Sequence, residues 1–399
     1  MFALPICLKR PLTGMAIIWL ACQSSLRAQE EPRGPQPNED IRQVVLTGKI
    51  GEKAAVRAVI NTTPNLEGGT SLDGTYHYLS QRKPIHLSGS LEGDQAFLEE
   101  STNRYGETVT GRFEGKWSFG EGPGQTSFQG SWTSGDGQRK LPFSLKEIRE
   151  DGVASLAFYS FAEEYARKSG SDEMRREQSL SFPQLLGESD ALQRVNGLIR
   201  LLALMQMEGS EENPDVKAPP PTLKALEKTV RAPLPDEEEF KDLEVSHFAS
   251  LTFDESFEVM LNEKQVFCMR MAHSEYTGGA HPNHAAAHVT FDLKSGEELT
   301  LDDLLKPGWR DAVTRMAETM LRKQHGLKDG EALNGEGPLF ENVFELNDNW
   351  FLTPEGLGFS FDPYEIGPYA AGFIEPIIPF PMLQDWVKPK SALERVIGK

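Results

Sequence analysis

Cysteine is scarce in this chain, with three in 399 residues. Cys7 and Cys22 fall within the first 28 residues, so a chain cut after Ala28 keeps Cys268 alone and forms no intramolecular disulfide. A lone thiol in the apolar run QVFCMRM reads as a small buried hydrophobe, not a nucleophile. Basic side chains are also in deficit: 41 Lys and Arg against 60 Asp and Glu leave a formal charge of −19. That balance argues against nucleic acid as a ligand, because phosphate binding needs a basic surface. Beyond the N-terminal leader there is no apolar run of about 18 residues, so no later segment is expected to cross a membrane. A Gly-x-Ser-x-Gly elbow, a phosphate loop and EF-hand spacing are all absent. No catalytic residue and no cofactor follow from the motifs. With 38% hydrophobic residues and 36 glycines, the chain still has enough apolar material for a folded core. Its length suits about two domains.

Residues 1–28 read MFALPICLKRPLTGMAIIWLACQSSLRA, with Lys9 and Arg10 ahead of the apolar stretch Met15–Ala21. This is the order of a secretory signal peptide, and the stretch is too short to span a bilayer. Cleavage after Ala28 is expected, which makes the protein secreted or periplasmic. Leu20-Ala21-Cys22 also has the shape of a lipobox end, so a lipoprotein anchored through Cys22 is the competing reading. Residues 29–40 are Pro-rich and polar, as in a flexible linker.

From 41 to 148 the sequence alternates in short segments: VVLTGKI, AAVRAVI, GTYHYLS, PIHLSGSL, QAFLEE, ETVTGRFEGKW, TSFQGSW and KLPFSLKE. Alternation rich in β-branched and aromatic residues, punctuated by Gly, Asp, Asn and Pro, predicts eight strands in a meander. Eight such strands can close into a small barrel. Gly74-Thr75-Tyr76, Gly111-Arg112-Phe113 and Gly130-Ser131-Trp132 form a weak hairpin repeat whose rings are expected in the core, packed over bare backbone.

Residues 149–399 form the second predicted domain. The first module carries 12 basic and 12 acidic residues, the second 25 and 44, so the acidity belongs to the second. An acidic module suits a basic partner, although a charge excess can also be simple solvation, as Asp236-Glu237-Glu238-Glu239 illustrates. Helices are predicted at 155–169, at 189–206 with a Ser189 or Asp190 cap, and at 309–325, where Trp309, Val313, Met316 and Met320 make a core stripe. Residues 209–221 read as a loop. Strands are expected at about 243–252, 256–262, 264–274 and 285–293, with short strands returning near the C-terminus. The fold class is α+β, an all-β meander followed by a mixed α+β domain.

Four of the eight histidines lie in HSEYTGGAHPNHAAAH: His273, His281, His284 and His288. If 284–288 is extended, His284 and His288 stand about 13 Å apart, too far to share one metal ion. His273 and His281 flank the Thr277-Gly278-Gly279 turn and, with Glu275, make the candidate metal set of a metal-dependent hydrolase or deacetylase. The bland alternative is that these are structural or surface histidines. Leu251-Thr252-Phe253-Asp254-Glu255 matches the start of a polysaccharide deacetylase motif but lacks the Gly-Pro and His-x-x-x-His that complete it.

FPQLLGESDALQRVNGLI, YTGGAHPN, FDLKSGEELTLDDLL and FLTPEGLGFSFDPYEIGPYAAGFIEPIIPF occur in that order. On them, residues 182–388 resemble the extracellular C-terminal region of RsiV-like anti-sigma factors and the non-catalytic envelope domain of PdaC-type peptidoglycan deacetylases. The resemblance covers about half the chain, and residues 41–148 match no family in this way. It implies an α+β envelope module that binds partners without transforming them, with a lysozyme-like basic protein or peptidoglycan as the expected partner. The anti-sigma and deacetylase activities do not carry over, because the segments that perform them are missing. A purely structural docking role is the third reading. The positions singled out for recognition are Tyr276, Gly278, Gly279, His281, Tyr364 and Tyr369, since Gly turns with aromatic rings suit binding. The same residues also suit a fold signature, with glycines in tight turns and tyrosines closing a core edge.

Overall fold

The computed structural model describes residues 37–38, 41–64, 69–102, 108–119, 125–148, 152–169, 172–207, 219–231, 250–335 and 337–398. The leader, Cys22, the Asp236–Glu239 run and most of the 209–221 loop lie outside the described residues.

Eight strands occupy the predicted positions: β1 Arg42–Ile50, β2 Ala54–Pro64, β3 Thr70–Tyr78, β4 Ile85–Glu92, β5 Gln95–Ser101, β6 Val109–Ser118, β7 Ser127–Ser134 and β8 Lys140–Glu147. Each pairs antiparallel with the next, and β1 closes on β8 from Leu46 opposite Glu147 to Ile50 opposite Phe143. Closure leaves no free edge. The inward positions are filled by a packed core that includes Leu46, Ile60, Leu72, Trp117 and Phe128, together with the three rings of the glycine repeat, Tyr76, Phe113 and Trp132. Gly115 faces Gly130 across β6 and β7; a Cβ on Gly115 would lie 2.2 Å from the Gln129 carbonyl oxygen. Only bare backbone allows that approach, so the glycines set the curvature of the small barrel. Among the described barrel residues one carboxylate is inside. Glu100 accepts from the Tyr76 hydroxyl, from Thr110 Oγ1 (3.0 Å) and from Trp132 Nε1 (3.0 Å), which offsets much of the cost of burying it.

The second module is built on a mixed sheet of six strands: β9 Ser155–Ser169, β10 Asp172–Leu186, β11 Ser250–Glu263, β12 Val266–Tyr276, β13 Asn283–Asp292 and β14 Glu297–Glu298, in the order β14-β13-β12-β11-β10-β9. Only β10 and β11 run parallel, joined through α1 Asp190–Met207 and α2 Leu223–Val230. The helix expected at 155–169 is therefore a strand. It pairs with β10 over its whole length, and that pairing buries Tyr159 and Phe161 against Phe182. Burial of alternate aromatics outweighs the helical preference of its Ala and Glu residues. The strands expected at 243–252 and 256–262 are one continuous strand, β11, from Ser250 on, with 243–249 outside the described residues, and that at 264–274 is β12; Lys264 and Gln265 between them are both at positive φ (53° and 61°), as suits a two-residue hairpin turn.

One face of the sheet packs Phe257, Phe267, Met269 and Phe291 against Val195, Ile199, Ala203, Leu226 and Val230 of the two helices. The other packs Leu261, Val266 and Cys268 against α3 Leu301–Leu304, α4 Trp309–Gln324 and a three-stranded sheet of β15 Trp350–Leu352, β16 Gly356–Phe359 and β17 Ile377–Pro379. The α4 stripe is as expected, with Trp309 and Val313 buried and Met316 and Met320 packed beside them. Short helices α5 Phe380–Leu383 and α6 Ala392–Ile397 close this layer. Cys268 is fully buried, and burial pushes its thiol up to about 11. None of the described helices is long and apolar enough to cross a membrane.

The β11–β12 turn joins the two modules. Arg82, in the β3–β4 loop of the barrel, pairs with Glu263, donates to the Pro354 carbonyl (2.7 Å) and lies over the Phe380 ring (5.7 Å). Gln265 N–H donates to the Gly152 carbonyl of the connecting segment (2.7 Å), and Ala154 and Asn262 exchange two hydrogen bonds of 2.8 Å.

Candidate functional site

At the opposite end of β12 the chain reverses through residues 277–282. Gly278 and Gly279 sit at φ 96° and 110°, a region that suits glycine, and the Tyr276 hydroxyl closes the turn by donating to the Gly279 carbonyl (3.1 Å). The turn carries His281 onto Tyr369, with ring centroids 3.8 Å apart and planes 22° from parallel. Tyr369 is fixed by its hydroxyl, which donates to the Pro282 carbonyl (2.7 Å). The Tyr364 ring lies 5.5 Å from Tyr369 and 6.3 Å from His281, and the His284 ring stands 6.5 Å from Tyr369 on the β13 side. Of the six positions singled out for recognition, His281, Tyr364 and Tyr369 thus meet in space, while Tyr276, Gly278 and Gly279 shape the turn.

The loop bearing the tyrosines is fastened at several points. Asp362 accepts the Ala286 N–H of β13 (2.9 Å), Asn347 donates to Glu365 (3.0 Å), and Phe340 N–H donates to the Ile366 carbonyl (2.8 Å). Tyr364 sits at φ 72°, an unfavourable conformation for a side chain with a Cβ, and is 54% exposed. Phe340 and Val343 next to this loop are 51% and 63% exposed. Residues 329–387, which include all of these except His281 and the β13 contacts, hold eleven Asp and Glu and no Lys, Arg or His.

Beneath the loop is a buried polar network. Arg270 of β12, 4% exposed, faces Glu375 (3.3 Å) and the Phe373 ring (4.4 Å), and Ser360 Oγ donates to the same Glu375 oxygen (2.9 Å). His288 Nδ1–H donates to Asn349 Oδ1 (2.9 Å), and the Asn349 amide donates to the Ala286 carbonyl (2.7 Å). Burial pushes His288 down to about 4, so it is a neutral structural histidine stacked on Phe351. His284 and His288 lie four residues apart on extended β13. Burial also raises Asp362, from an ordinary 3.8 to about 6, with Glu365 and Glu375 adding to the rise while the Ala286 N–H and Arg270 oppose it.

The candidate metal set does not gather. His273 Nδ1–H donates to Glu255 Oε1 (2.5 Å), its Nε2 stands 3.7 Å from Glu275 Oε2, and His281 is turned onto Tyr369. Among the described residues no three His, Cys, Asp or Glu side chains converge to hold a metal ion. The bond to Glu255 raises His273, and burial raises Glu255. Asn349 and Asp362 carry no sequence signal as site residues, and Glu255 stood out only in the incomplete deacetylase match at 251–255. Their roles come from burial and from partners distant in sequence, for which no local motif exists.

No curated protein matches the chain. A crystal structure of a DUF3298 family member from Bacteroides fragilis superimposes with a TM-score of 0.47 at 19% identity, covering 62% of this chain and 100% of that one. A DUF3298 family protein from Pseudomonas aeruginosa superimposes at 0.40 and 20% identity, covering 59% of this chain and 95% of that one. Residues 302–381, which carry the Tyr364–Tyr369 loop and its fasteners, match the family model described as a protein of unknown function, DUF3298.

Proposed function

We propose that this is an exported, non-enzymatic binding protein of the cell envelope whose second module captures a basic protein on the face formed by His281, Tyr364 and Tyr369. The observation that carries the reading is the segment 329–387, acidic without a single basic side chain, in which Phe340, Val343 and Tyr364 stand exposed. Apolar and aromatic anchors on an acidic segment, of which Asp348 and Glu375 are paired with Arg310 and Arg270, suit a partner of the opposite sign, and the charge accelerates encounter. The leader supports secretion or a periplasmic location, with a lipid anchor on Cys22 as the variant form. The resemblance to RsiV-like and PdaC-type envelope domains supports a lysozyme-like protein as the partner, with peptidoglycan as the competing ligand.

The test is calorimetric titration of the mature chain with lysozyme as the basic probe and, separately, with soluble peptidoglycan fragments, at low and physiological salt. Binding of lysozyme that weakens with salt and is lost in Tyr364→Ala supports the reading. Binding indifferent to salt, or unchanged in Tyr364→Ala, removes it, and binding of the fragments alone transfers the face to a glycan.

A further inference from the structure

We propose that the recognition face is specific for arginine: the exposed Tyr364 ring takes a guanidinium of the partner by cation–π stacking, beside the apolar surface of Phe340 and Val343 and the carboxylates of Glu341 and Glu345. This deepens the reading above and rests on it.

The ring is available and held in place. His281 occupies Tyr369 at 3.8 Å, whereas Tyr364 stands 5.5 Å from Tyr369, tilted by 36°, with more than half of its surface exposed. The turn beneath it is fixed by the Tyr364 N–H, which donates to the Gly367 carbonyl (3.1 Å), and by the Glu365 N–H, which donates to the Asp362 carbonyl (3.0 Å). A ring ordered before binding loses little freedom when a partner arrives. The Phe340 N–H on the Ile366 carbonyl draws the 340–345 segment alongside this loop, and with it the exposed Phe340, Glu341, Val343 and Glu345. Neither glutamate makes an ion pair among the described residues.

These surfaces match the parts of an arginine. Its methylene stem suits apolar side chains, its flat guanidinium stacks on an aromatic face, and its N–H fork suits carboxylates. Lysine shares the charge but is more strongly hydrated and has no flat group to stack. The chain itself shows the same preference. Arg42, Arg82, Arg139, Arg176, Arg270 and Arg310 each lie over an aromatic ring at 4.4–5.7 Å, and among the described residues no lysine does so and no cation lies over Tyr364. The acidic charge attracts either residue and is screened by salt, whereas stacking on Tyr364 tells them apart and survives physiological salt. At an exposed ring that distinction amounts to about five-fold in affinity.

The experiment measures, by fluorescence anisotropy at low and physiological salt, the binding of hexa-arginine and hexa-lysine peptides to the mature chain. The proteins are the wild type, Tyr364→Phe, Tyr364→Leu and a double variant with Glu341→Gln and Glu345→Gln, each checked for folding by thermal denaturation. The expected result at physiological salt is that hexa-arginine binds about five-fold tighter than hexa-lysine to the wild type and to Tyr364→Phe, that the two bind alike to Tyr364→Leu, and that the double variant weakens both. Equal affinities in the wild type, or an arginine advantage that survives in Tyr364→Leu, overturn the arginine anchor, while salt-sensitive binding of both peptides keeps the acidic capture face. Binding of neither peptide overturns the capture face and the anchor with it.

Discussion

Removing Arg82 tests whether the barrel and the α+β module are energetically one unit. Its guanidinium pairs with Glu263, donates to the Pro354 carbonyl at 2.7 Å and to the Val396 carbonyl at 3.4 Å, and lies over Phe380, so one side chain of the first module engages four partners in the second. The Glu263 side chain is 9% exposed and that of Arg82 is 31% exposed. Breaking a fully buried pair from one side costs about 3–5 kcal/mol, because the remaining charge is left desolvated. The partial exposure of Arg82 reduces this to about 2–3 kcal/mol for Arg82→Ala. Glu263→Gln in the Arg82→Ala background removes the stranded charge and is expected to restore about half of the loss. The assay is urea denaturation of the four proteins of a double-mutant cycle, with limited proteolysis to report whether the barrel separates. If the two substitutions add to within about 0.5 kcal/mol, the pair is not coupled and the reasoning fails.

Asp362→Asn is expected to stabilise the free protein at pH 7.5 by about 1–2 kcal/mol, a gain that vanishes below about pH 4. The sign follows from the raised titration of Asp362: its favourable contribution is complete below the unfolded value and is lost as pH rises through about 6. Denaturation at pH 7.5 and pH 4 checks this, and a variant weakened equally at both would contradict it. Gly115→Ala forces a Cβ to 2.2 Å from the Gln129 carbonyl oxygen, with backbone on both sides, and is expected to cost about 3 kcal/mol or more. Gly93→Ala, at φ 61° in open space, should cost about 1 kcal/mol, so similar losses by thermal denaturation would refute the packing account of the barrel glycines.

The barrel was legible in the sequence because its signals are local: each strand alternates over seven to eleven residues, and each pairs with its neighbour in the chain. Helices α1 and α4 were legible for the same reason, through stripes such as Val195 with Ile199 and Trp309 with Val313. Strand β9 was not. Its Ala and Glu residues favour a helix, and what overrides them is the partner strand beginning at Asp172, invisible to a short window. The site divides in the same way. His281, Tyr364 and Tyr369 could each be picked out from Gly-rich turns, but their meeting depends on a loop more than 80 residues downstream folding back onto β13. Arg82 and Asp362 have no motif at all, since their importance comes from the partners the fold sets beside them.

The β11–β12 hairpin is fixed at its turn, which serves as its root. Its root is clamped by Arg82, by Gly152 and by Arg395, whose guanidinium donates to the Lys264 carbonyl at 3.3 Å and to Asp292 at 2.7 Å. The N-terminal chain also attaches toward this root, where Asn38 N–H donates to the Phe158 carbonyl. Ten residue steps along β12, about 33 Å, separate Val266 at the root from Tyr276 at the far end. The two ends of the pair are therefore held by different parts of the fold: the turn end by the barrel, the connecting segment and Arg395, the far end by the Tyr369 hydroxyl on Pro282 and the Asp362 bond to β13.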